Sequence, residues 1–366
     1  MENSININRK KTTFRKSKEF KTILNVSIGI LTIVLSIIWG ITEISSKGVE
    51  IFLQNMSLSL VNGLAFSMLL FLMTSGFFLI FGLADIINFA HGAFFMLGGF
   101  MGYETYLVAE SFLLPFLGSD PVFLSFISFI FALVGATLIL GLIGIGIEVT
   151  TIRRLFRKPI SQILLTVGFL YIILQLTEMI WGPAIFTYNY VTGSQTSVFW
   201  LPRSAILDFG GGMRFEMYRI FLILFGLGIA LVMFLVLSRT RIGLIITAGI
   251  EDPEIVNALG IDTKRVFTLV FAVGAALAGL AGAVAVPQVN ASLDVAGNFL
   301  IYAFVIVVIG GAHFGRFSGT FWASIIVGIS FTFCQFFFPG LEGIVIFLIL
   351  LLILTFKPGG LTGEPM

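Results

Sequence analysis

Residues 82–102 read GLADIINFAHGAFFMLGGFMG, a run long enough to cross a bilayer that nevertheless contains Asp85, Asn88, His91 and five glycines. A polar group in the hydrocarbon region of a membrane is costly unless protein or a water-filled cavity satisfies it. Asn88 and His91 are three residues apart and therefore share one face of a helix. Because a segment selected only for lipid contact would lack these groups, we predict that this face lines a solute pathway.

Small residues follow in the second half of the same run. Gly92 and Gly98 have no side chain, so a neighbouring helix or an unwound backbone could approach them closely. Asn62, early in the preceding apolar run, is a further candidate, although a hydrogen bond between helices would explain it equally well. For His91 the alternative is a packing residue whose ring nitrogens are satisfied by a neighbouring helix. The predicted pathway residues are therefore Asn62, Asn88, His91, Gly92 and Gly98.

The composition is typical of a polytopic membrane protein. Of 366 residues, 58% are hydrophobic and only 11% are charged, and the mean hydropathy is +1.07. A soluble domain of this length would carry more charge. A single cysteine, Cys334, and two distant histidines exclude a disulfide framework within the chain and the usual cysteine- or histidine-rich metal motifs.

Apolar runs of about 20 residues predict an all-α membrane protein with about ten transmembrane helices. The runs are 22–40, 56–80, 86–108, 121–147, 160–180, 217–237, 266–286, 298–312, 318–338 and 341–356. The eighth and tenth are short enough to be broken or re-entrant. The cations before the first run would also suit a signal peptide, but this run is longer than a signal core and no clear cleavage site follows it. We therefore expect a retained helix.

The positions of the basic residues predict that both termini are cytoplasmic. With the basic N-terminal tail inside, 17 of the 21 lysines and arginines fall on inner segments, in agreement with the positive-inside rule. Only Lys47, Arg203, Arg214 and Arg219 fall outside. Since one missed or additional span would place whole basic clusters on the wrong side, the span count and the N-in, C-in orientation support each other.

The predicted inner loop 238–265 contains a complete set of signals for a short helix. Asp252 is a suitable N-cap, and Pro253 suits the first helical position. Glu254 is an acidic residue in the first turn, and Gly260 is a natural C-terminal stop. We predict a helix at about 253–259. The residues alone favour a connecting helix that lies on the lipid headgroups, and a docking helix for a cytosolic partner is the alternative.

The chain lacks the motifs of the common enzyme classes. No Gly-Lys dipeptide occurs, so there is no P-loop, and we find no dinucleotide fingerprint, HExxH or nucleophile–base pair. If ATP drives the protein, ATP and Mg²⁺ are bound by another chain, and we expect no cofactor in this one. Glu148 lies close in sequence to Arg153 and Arg154, which predicts an ion pair at the membrane surface.

Three segments in order carry a family resemblance. They are LIFGLADIINFAHGAFFMLGGFMGY, then SRTRIG with EDPEIVNALGIDTKRVFTLVFAVGAALAGLAG behind it, then AFVIVVIGG with FKPGGLTG near the end. Together they resemble the membrane permeases of ABC importers for branched-chain amino acids and their relatives that carry urea or short amides. The resemblance covers about 56–363 and leaves a basic cytoplasmic tail, 1–21, and a first helix with its outer loop, 22–55.

The resemblance implies a transport subunit, and not an enzyme, in a prokaryotic inner or plasma membrane. Its expected partners are two cytosolic P-loop ATPase subunits, a second permease subunit that is a sibling or another copy, an extracytoplasmic solute-binding protein and the lipid bilayer, with no nucleic acid. In this family the loop helix docks on the ATPase through a loose E-A-A-x-x-x-G pattern. Here Ile255 and Val256 replace the alanines. The implied coupling residues are Asp252, Pro253, Glu254, Ala258 and Gly260.

Two questions stay open at this point. The solute is most readily a branched-chain amino acid, with urea or a short amide as the alternative. An ion-driven secondary carrier is a hypothesis of a different class, in which the glycine-broken segments 82–102 and 297–319 would form a site at the membrane midplane. The scarcity of carboxylates in the predicted spans disfavours the carrier.

Overall fold

The computed structural model describes most of the chain beyond the N-terminal region. The described residues are 49–83, 86–117, 121–155, 158–186, 206–208, 214–251, 253–311 and 317–362. Backbone contacts divide the chain after Leu58, and of the first unit only 49–58 are described, as the opening turns of the first helix. The predicted basic tail and the first predicted span, 22–40, lie outside the described residues.

Within those residues the chain forms eleven α-helices and one two-stranded hairpin. The first five helices are α1 (Val49–Phe77), α2 (His91–Leu117), α3 (Pro121–Thr150), α4 (Pro159–Trp181) and α5 (Met217–Arg239). The others are α6 (Arg241–Glu251), α7 (Pro253–Ala258), α8 (Thr263–Val289), α9 (Val295–Gly310), α10 (Phe317–Phe337) and α11 (Glu342–Phe356). A π-helical turn, Phe78–Leu83, extends α1, and a 3₁₀ turn, Ile152–Leu155, follows α3. Strands β1 (Ile206–Asp208) and β2 (Arg214–Glu216) are antiparallel, and β2 leads directly into α5.

Each predicted span that falls on described residues coincides with a helix, which confirms the all-α polytopic architecture. Six helices are long and apolar enough to cross a membrane, and two further apolar helices, α9 and α11, are shorter. Helix α2 is long but is not one of these six, and it contains His91, Glu104 and Glu110. The total of ten spans and the N-in, C-in orientation stay predictions.

Helix boundaries follow local chemistry. Pro159 is the first residue of α4, where its missing N–H costs nothing. The same helix ends at Gly182, which has a φ of 74° and donates its backbone N–H to the Glu178 carbonyl at 2.7 Å. Asp262 caps α8, since its side chain accepts the Lys264 N–H at 3.0 Å.

Burial separates the interior helices from the peripheral ones. Residues 65–81, in α1 and its π-helical extension, are buried without interruption, whereas only 17% of the apolar windows of α4 and α5 are buried. The exposed residues of α4 and α5 are mostly leucine, isoleucine, valine and phenylalanine. Such surfaces are stable in lipid, where no water has to be excluded from them.

Helices α2, α3 and α8 pack through what we call the small-residue interface. A Cβ atom at Gly98 would lie 2.5 Å from the Cα atom of Gly279, and one at Gly282 would lie 1.9 Å from the Phe95 carbonyl oxygen. The backbones are therefore in contact, at distances that no larger residue allows. This close approach explains the small residues of the second family-like segment.

The C-terminal residues close the end of α9. Gly311 ends this helix in the left-handed conformation, with a φ of 81°. Leu361 donates its N–H to the Ile309 carbonyl, and the Thr362 hydroxyl donates to the Gly310 carbonyl, both at 2.8 Å. The third family-like segment thus joins the end of α9 to the end of the chain.

Candidate functional site

The turn before α2 buries the predicted pathway residue Asn88. Its Oδ1 atom accepts the Ala90 N–H at 3.1 Å, and its backbone carbonyl accepts the His91 N–H at 3.2 Å. These bonds satisfy the first turn of α2, which has no preceding helical carbonyl groups. The Asn88 side chain is fully buried, and its Nδ2 atom has no partner among the described residues. One strong hydrogen-bond donor is therefore available at this turn.

His91 is held against α1. Its Nε2 atom lies 3.0 Å from the Met73 carbonyl oxygen, and because a carbonyl only accepts, Nε2 carries the proton. The ring also packs on Phe77, with the ring centroids 5.4 Å apart. His91 is fully buried and is not among the described residues that line the two cavities below. This geometry matches the packing role that the sequence left as an alternative.

The two predicted pathway glycines lie at helix contacts. A Cβ atom at Gly92 would lie 2.1 Å from the carbonyl oxygen of Ala296 on α9, and Gly98 belongs to the small-residue interface. Both positions require glycine because another backbone occupies the space. A part for them in the solute pathway stays a prediction.

A cavity of about 460 Å³ lies between α1, α5, α8, α9 and α10, and we call it the polar cavity. Its polar lining consists of Asn62, Arg219, Gln288, Asn298, Thr332 and Gln335. Its aromatic lining consists of Phe66, Phe299, Tyr302, Phe331 and Phe336. These residues come from the starts of α5 and α9 and the ends of α8 and α10, the end of the bundle where the β-hairpin joins α5. We call it the hairpin end, and the predicted orientation places it outside the cell.

Asn62 and Arg219 meet in this cavity. The Nη1 group of Arg219 donates to the Oδ1 atom of Asn62, and Glu216 lies 3.2 Å from Nε of the same arginine. Asn62 thus makes the bond between helices that the sequence offered as one explanation. It also lines a cavity, and its part in the solute pathway stays a prediction. From the sequence, Arg219 is expected only as an outer cation. Its position at the start of an apolar helix was the signal that it could face the interior.

Aromatic rings form one side of the polar cavity. Phe66 stacks on Phe331 with centroids 4.9 Å apart, and Phe299 stacks on Phe95 of α2 at 4.4 Å. Tyr302 contacts both Phe299 and Phe331. The cavity therefore offers apolar surface beside a few polar groups, as small-molecule sites generally do.

A second cavity of about 310 Å³ lies on another face of α9, and we call it the apolar cavity. Its lining consists of Phe77, Ile87, Asn88, Phe89, Leu300, Ile301, Phe304, Val305, Phe347 and Leu350. Asn88 is the polar residue of this set. Since Asn298, Phe299 and Tyr302 line the polar cavity and Leu300, Phe304 and Val305 line the apolar one, helix α9 is a wall shared by both.

The predicted loop helix is confirmed as α7. It ends before Gly260, which has a φ of 84°, and the Ile261 N–H bonds to the Val256 carbonyl at 3.2 Å, an arrangement typical of a glycine C-cap. Val256 is buried, whereas Ala258 is exposed. Asp252 lies outside the described residues, as do the side chains of Pro253 and Glu254.

Asn257 ties α7 to the first turn of α8. Its Oδ1 atom accepts both the backbone N–H of Thr263, at 3.2 Å, and the Thr263 hydroxyl, at 3.1 Å. The preceding helix, α6, was not predicted. Thr240 was the missed signal, since its hydroxyl accepts the Gly243 N–H at 3.3 Å and so caps α6.

A second side-chain network joins α8 to α3. Thr268 donates to Oε2 of Glu148 at 2.7 Å, and Nη2 of Arg153 lies 3.0 Å from the same oxygen. The hydrogen bond to Glu148 raises the pKa of Arg153, so the guanidinium stays charged. The predicted ion pair is confirmed, but the Glu148 side chain is only 4% exposed. It is buried at the end of α3 and not solvated at the membrane surface.

The described residues offer no obvious metal site, since no three of their histidine, cysteine, aspartate or glutamate side chains are placed to hold an ion. The polar groups described above instead lie in the polar cavity, in the bonds that join α7 to α8, and in the network that joins α8 to α3.

The chain is similar to known proteins over most of its length. The family model described as "Branched-chain amino acid transport system / permease component" matches residues 59–354. The high-affinity branched-chain amino acid transport system permease protein BraD of Pseudomonas aeruginosa is 28% identical over 318 residues, which cover 84% of this chain and 95% of BraD. LivH of Escherichia coli K12, which has the same type of name, is 27% identical over 324 residues, 86% of this chain and 96% of LivH.

An archaeal relative matches as well. The probable branched-chain amino acid transport permease protein LivH of Methanocaldococcus jannaschii is 24% identical over 315 residues, which cover 83% of this chain and 91% of that protein. No solved structure matches the chain significantly. The matches extend over nearly the whole of each relative, so they concern the bundle as a whole and not one shared motif.

Proposed function

The chain belongs to the permease family of branched-chain amino acid transport systems, and from this premise we propose that it forms the solute pathway of an ABC importer driven by separate cytosolic ATPase subunits. It is a multi-pass protein of the prokaryotic cell membrane. The proposal concerns its solute, its partners and the way in which ATP hydrolysis changes the pathway.

The proposed solute is a branched-chain amino acid. The relatives named above are called transporters of these solutes. The polar cavity supports the same assignment, because its amide and guanidinium groups suit a charged amino-acid backbone and its aromatic side suits a hydrocarbon side chain.

The proposed route follows α9. An extracytoplasmic binding protein delivers the solute to the polar cavity at the hairpin end, and the apolar cavity on the other face of α9 lies on the way to the cytoplasm. Asn88 lines that second cavity and has a free Nδ2 donor among the described residues. Its two N–H donors offer replaceable hydrogen bonds, which suits a route through which the solute must also leave.

The coupling proposal rests on the two hydrogen bonds by which Asn257 joins α7 to α8. A cytosolic ATPase that moves α7 also moves the first turn of α8 through the two bonds of Asn257. Thr268, little more than one turn further along α8, passes that movement to Glu148 at the end of α3. Since α8 packs against α2 and α3 by backbone contact, these three helices shift as one body.

The same loop supplies a surface for the ATPase. Leu259, directly after α7, is 73% exposed, although it belongs to a loop outside the membrane-spanning helices. An exposed leucine beside a short helix is a suitable contact for a protein partner. Two ATPase subunits, one for each permease of a dimer, would engage this surface.

A pull-down from native membranes tests the partners. We expect the tagged full-length chain, in mild detergent, to retain two P-loop ATPase chains, together with a second permease subunit. If the chain came down alone and still transported leucine in liposomes under an ion gradient, the importer would be wrong and the secondary carrier would replace it.

The Asn257→Ala variant tests the coupling. We expect it to lower leucine uptake per ATP hydrolysed about threefold or more, because two hydrogen bonds of roughly 1 kcal/mol each are lost. Asn257→Asp is the matched control, since a carboxylate still accepts both bonds. Uptake and phosphate release are measured together in proteoliposomes that contain the whole importer. Equal coupling ratios for the alanine variant and the unmodified protein would contradict the role of the tie.

A further inference from the structure

The charge of the polar cavity is one-sided. Among the described residues that line it there is one cation, Arg219, and no acidic side chain. The Arg219 side chain is only 23% exposed. A guanidinium turned toward the interior of a membrane protein is costly unless partners offset its charge, and such groups often mark solute pathways. The cavity is therefore suited to a ligand that brings a negative charge.

The contacts of Arg219 do not use its full capacity. Nη1 donates to Asn62, whereas Nε, although 3.2 Å from the Glu216 carboxylate, is buried and makes no hydrogen bond within the described residues. A guanidinium has five N–H donors. Buried donors of this kind normally have partners, so the arginine is held in place with binding capacity to spare.

Glu216 does not neutralise this arginine strongly. Its side chain is 60% exposed, and ion pairs with a solvated partner contribute little free energy. A carboxylate inside the cavity would be less solvated, and it could accept two parallel N–H bonds from the guanidinium. Such a carboxylate would compete well with Glu216.

The remaining lining fits the rest of an amino acid. The side-chain amides of Gln288, Asn298 and Gln335 line the same cavity, and amide oxygens accept hydrogen bonds from an ammonium group. The ring stack of Phe66 and Phe331 provides apolar surface for a hydrocarbon side chain. A neutral amide such as urea would use neither the guanidinium charge nor this surface.

We infer that Arg219 binds the carboxylate of the solute in the polar cavity, so that the permease itself selects carboxylate-bearing solutes over neutral amides. The inference rests on the proposed function, which it deepens by assigning a selective residue to the membrane subunit. Asn62 is then a positioning residue, since it orients the guanidinium through their shared hydrogen bond.

The test is direct binding without the solute-binding protein. The full-length chain, purified with the subunits that accompany it and placed in lipid nanodiscs, is titrated with L-leucine and with leucinamide by saturation-transfer NMR. Leucinamide keeps the side chain and the amino group but lacks the carboxylate. Since charge-assisted hydrogen bonds are stronger than neutral ones, we expect leucine to bind about tenfold or more tightly than leucinamide.

Three variants identify the residue. Arg219→Gln should abolish the preference for leucine, and Arg219→Lys, which keeps the charge but not the paired donors, should retain part of it. Arg239→Gln is the matched control, because Arg239 is an exposed arginine at the opposite end of the same helix. It should leave the preference unchanged. The lysine variant and the unmodified protein also keep the test informative if the glutamine variant does not fold.

The outcomes separate the inference from the proposed function. An unchanged preference in Arg219→Gln, or no preference in the unmodified protein, would overturn the inference, while ATPase copurification and leucine uptake would still support the importer. Conversely, a preference that depends on Arg219 in a chain without ATPase partners would uphold the carboxylate site and refute the importer.

Discussion

The small-residue interface and the α9 side of the bundle solve the packing problem in opposite ways. In the first, the backbones of α2, α3 and α8 touch, and no methyl group fits at Gly98 or Gly282. On the α9 side, large aromatic rings meet around two cavities of about 460 and 310 Å³. One region has no spare volume, and the other has enough for a small solute.

This difference locates the movable part of the protein. Backbone contacts between glycines have no alternative rotamers, so α2, α3 and α8 can move only together. Aromatic side chains can rotate, and cavities give them space. A change between outward and inward access is therefore expected in the part of α9 that packs through side chains, beyond its backbone contact with Gly92 at Ala296, with the small-residue interface acting as the rigid body.

The largest expected effect is on the small-residue interface. Gly282→Ala places a methyl group 1.9 Å from the Phe95 carbonyl oxygen. We expect a loss of about 3 kcal/mol in the free energy of unfolding, or failure to fold, because overpacking against backbone cannot be relieved by a rotamer change. Yield of monodisperse protein and the midpoint of thermal unfolding in detergent measure the effect.

A matched glycine controls this prediction. Gly146, on α3, has open space where a side chain would begin, since a Cβ atom added there would meet no described heavy atom within 4 Å. Gly146→Ala should be neutral or slightly stabilising because alanine favours the helix. If both variants behaved alike, the rigid-body account of α2, α3 and α8 would be wrong.

A smaller loss of stability is expected at the side-chain network that joins α3 to α8. Glu148→Ala removes the acceptor of Thr268 and the ion-pair partner of Arg153. Because Arg153 is 35% exposed and can be hydrated, we expect a loss of about 1–3 kcal/mol, less than a fully buried pair would give. Thermal unfolding of the purified complex measures it. Glu178→Ala removes an exposed carboxylate bonded to Gln175 and should change stability by less than about 0.5 kcal/mol.

Local features of the fold were predictable from the sequence. Apolar runs gave the positions of the helices, and Pro253 and Gly260 gave the bounds of α7 to within one residue, because these signals act within one or two turns. Helix α6 was missed since Thr240 both ends α5 and caps the next helix. A single threonine cap within a connecting segment is hard to distinguish from an ordinary threonine.

The cavities were less predictable because they are made by tertiary packing. The residues that line the polar cavity lie on five helices and are as far apart in the sequence as Asn62 and Gln335. No spacing in the sequence indicates that these side chains meet. A glycine in a membrane helix can line a pathway or admit a neighbouring backbone, and the pattern is the same in both cases. The structure places Gly92 and Gly98 at helix contacts, and their part in the solute pathway stays a prediction.

A small effect on stability is also expected from filling the apolar cavity. Val305→Phe adds a ring beside a cavity of about 310 Å³, so we expect the free energy of unfolding to change by less than about 1 kcal/mol. On the same helix, Val307 is as buried as Val305 but is not among the described residues that line either cavity. Val307→Phe should cost about 1–3 kcal/mol.

In transport the two variants should rank the other way, with the larger loss in Val305→Phe. The Val305→Phe protein is expected to be stable yet to lose most leucine uptake, because the ring occupies the proposed route, while any folded Val307→Phe protein should retain uptake per molecule. Full uptake by Val305→Phe, with its stability preserved, would mean that the solute does not pass the apolar cavity. The spare volume beside α9 would then serve the movement of that helix, and the route would have to lie along another of its faces.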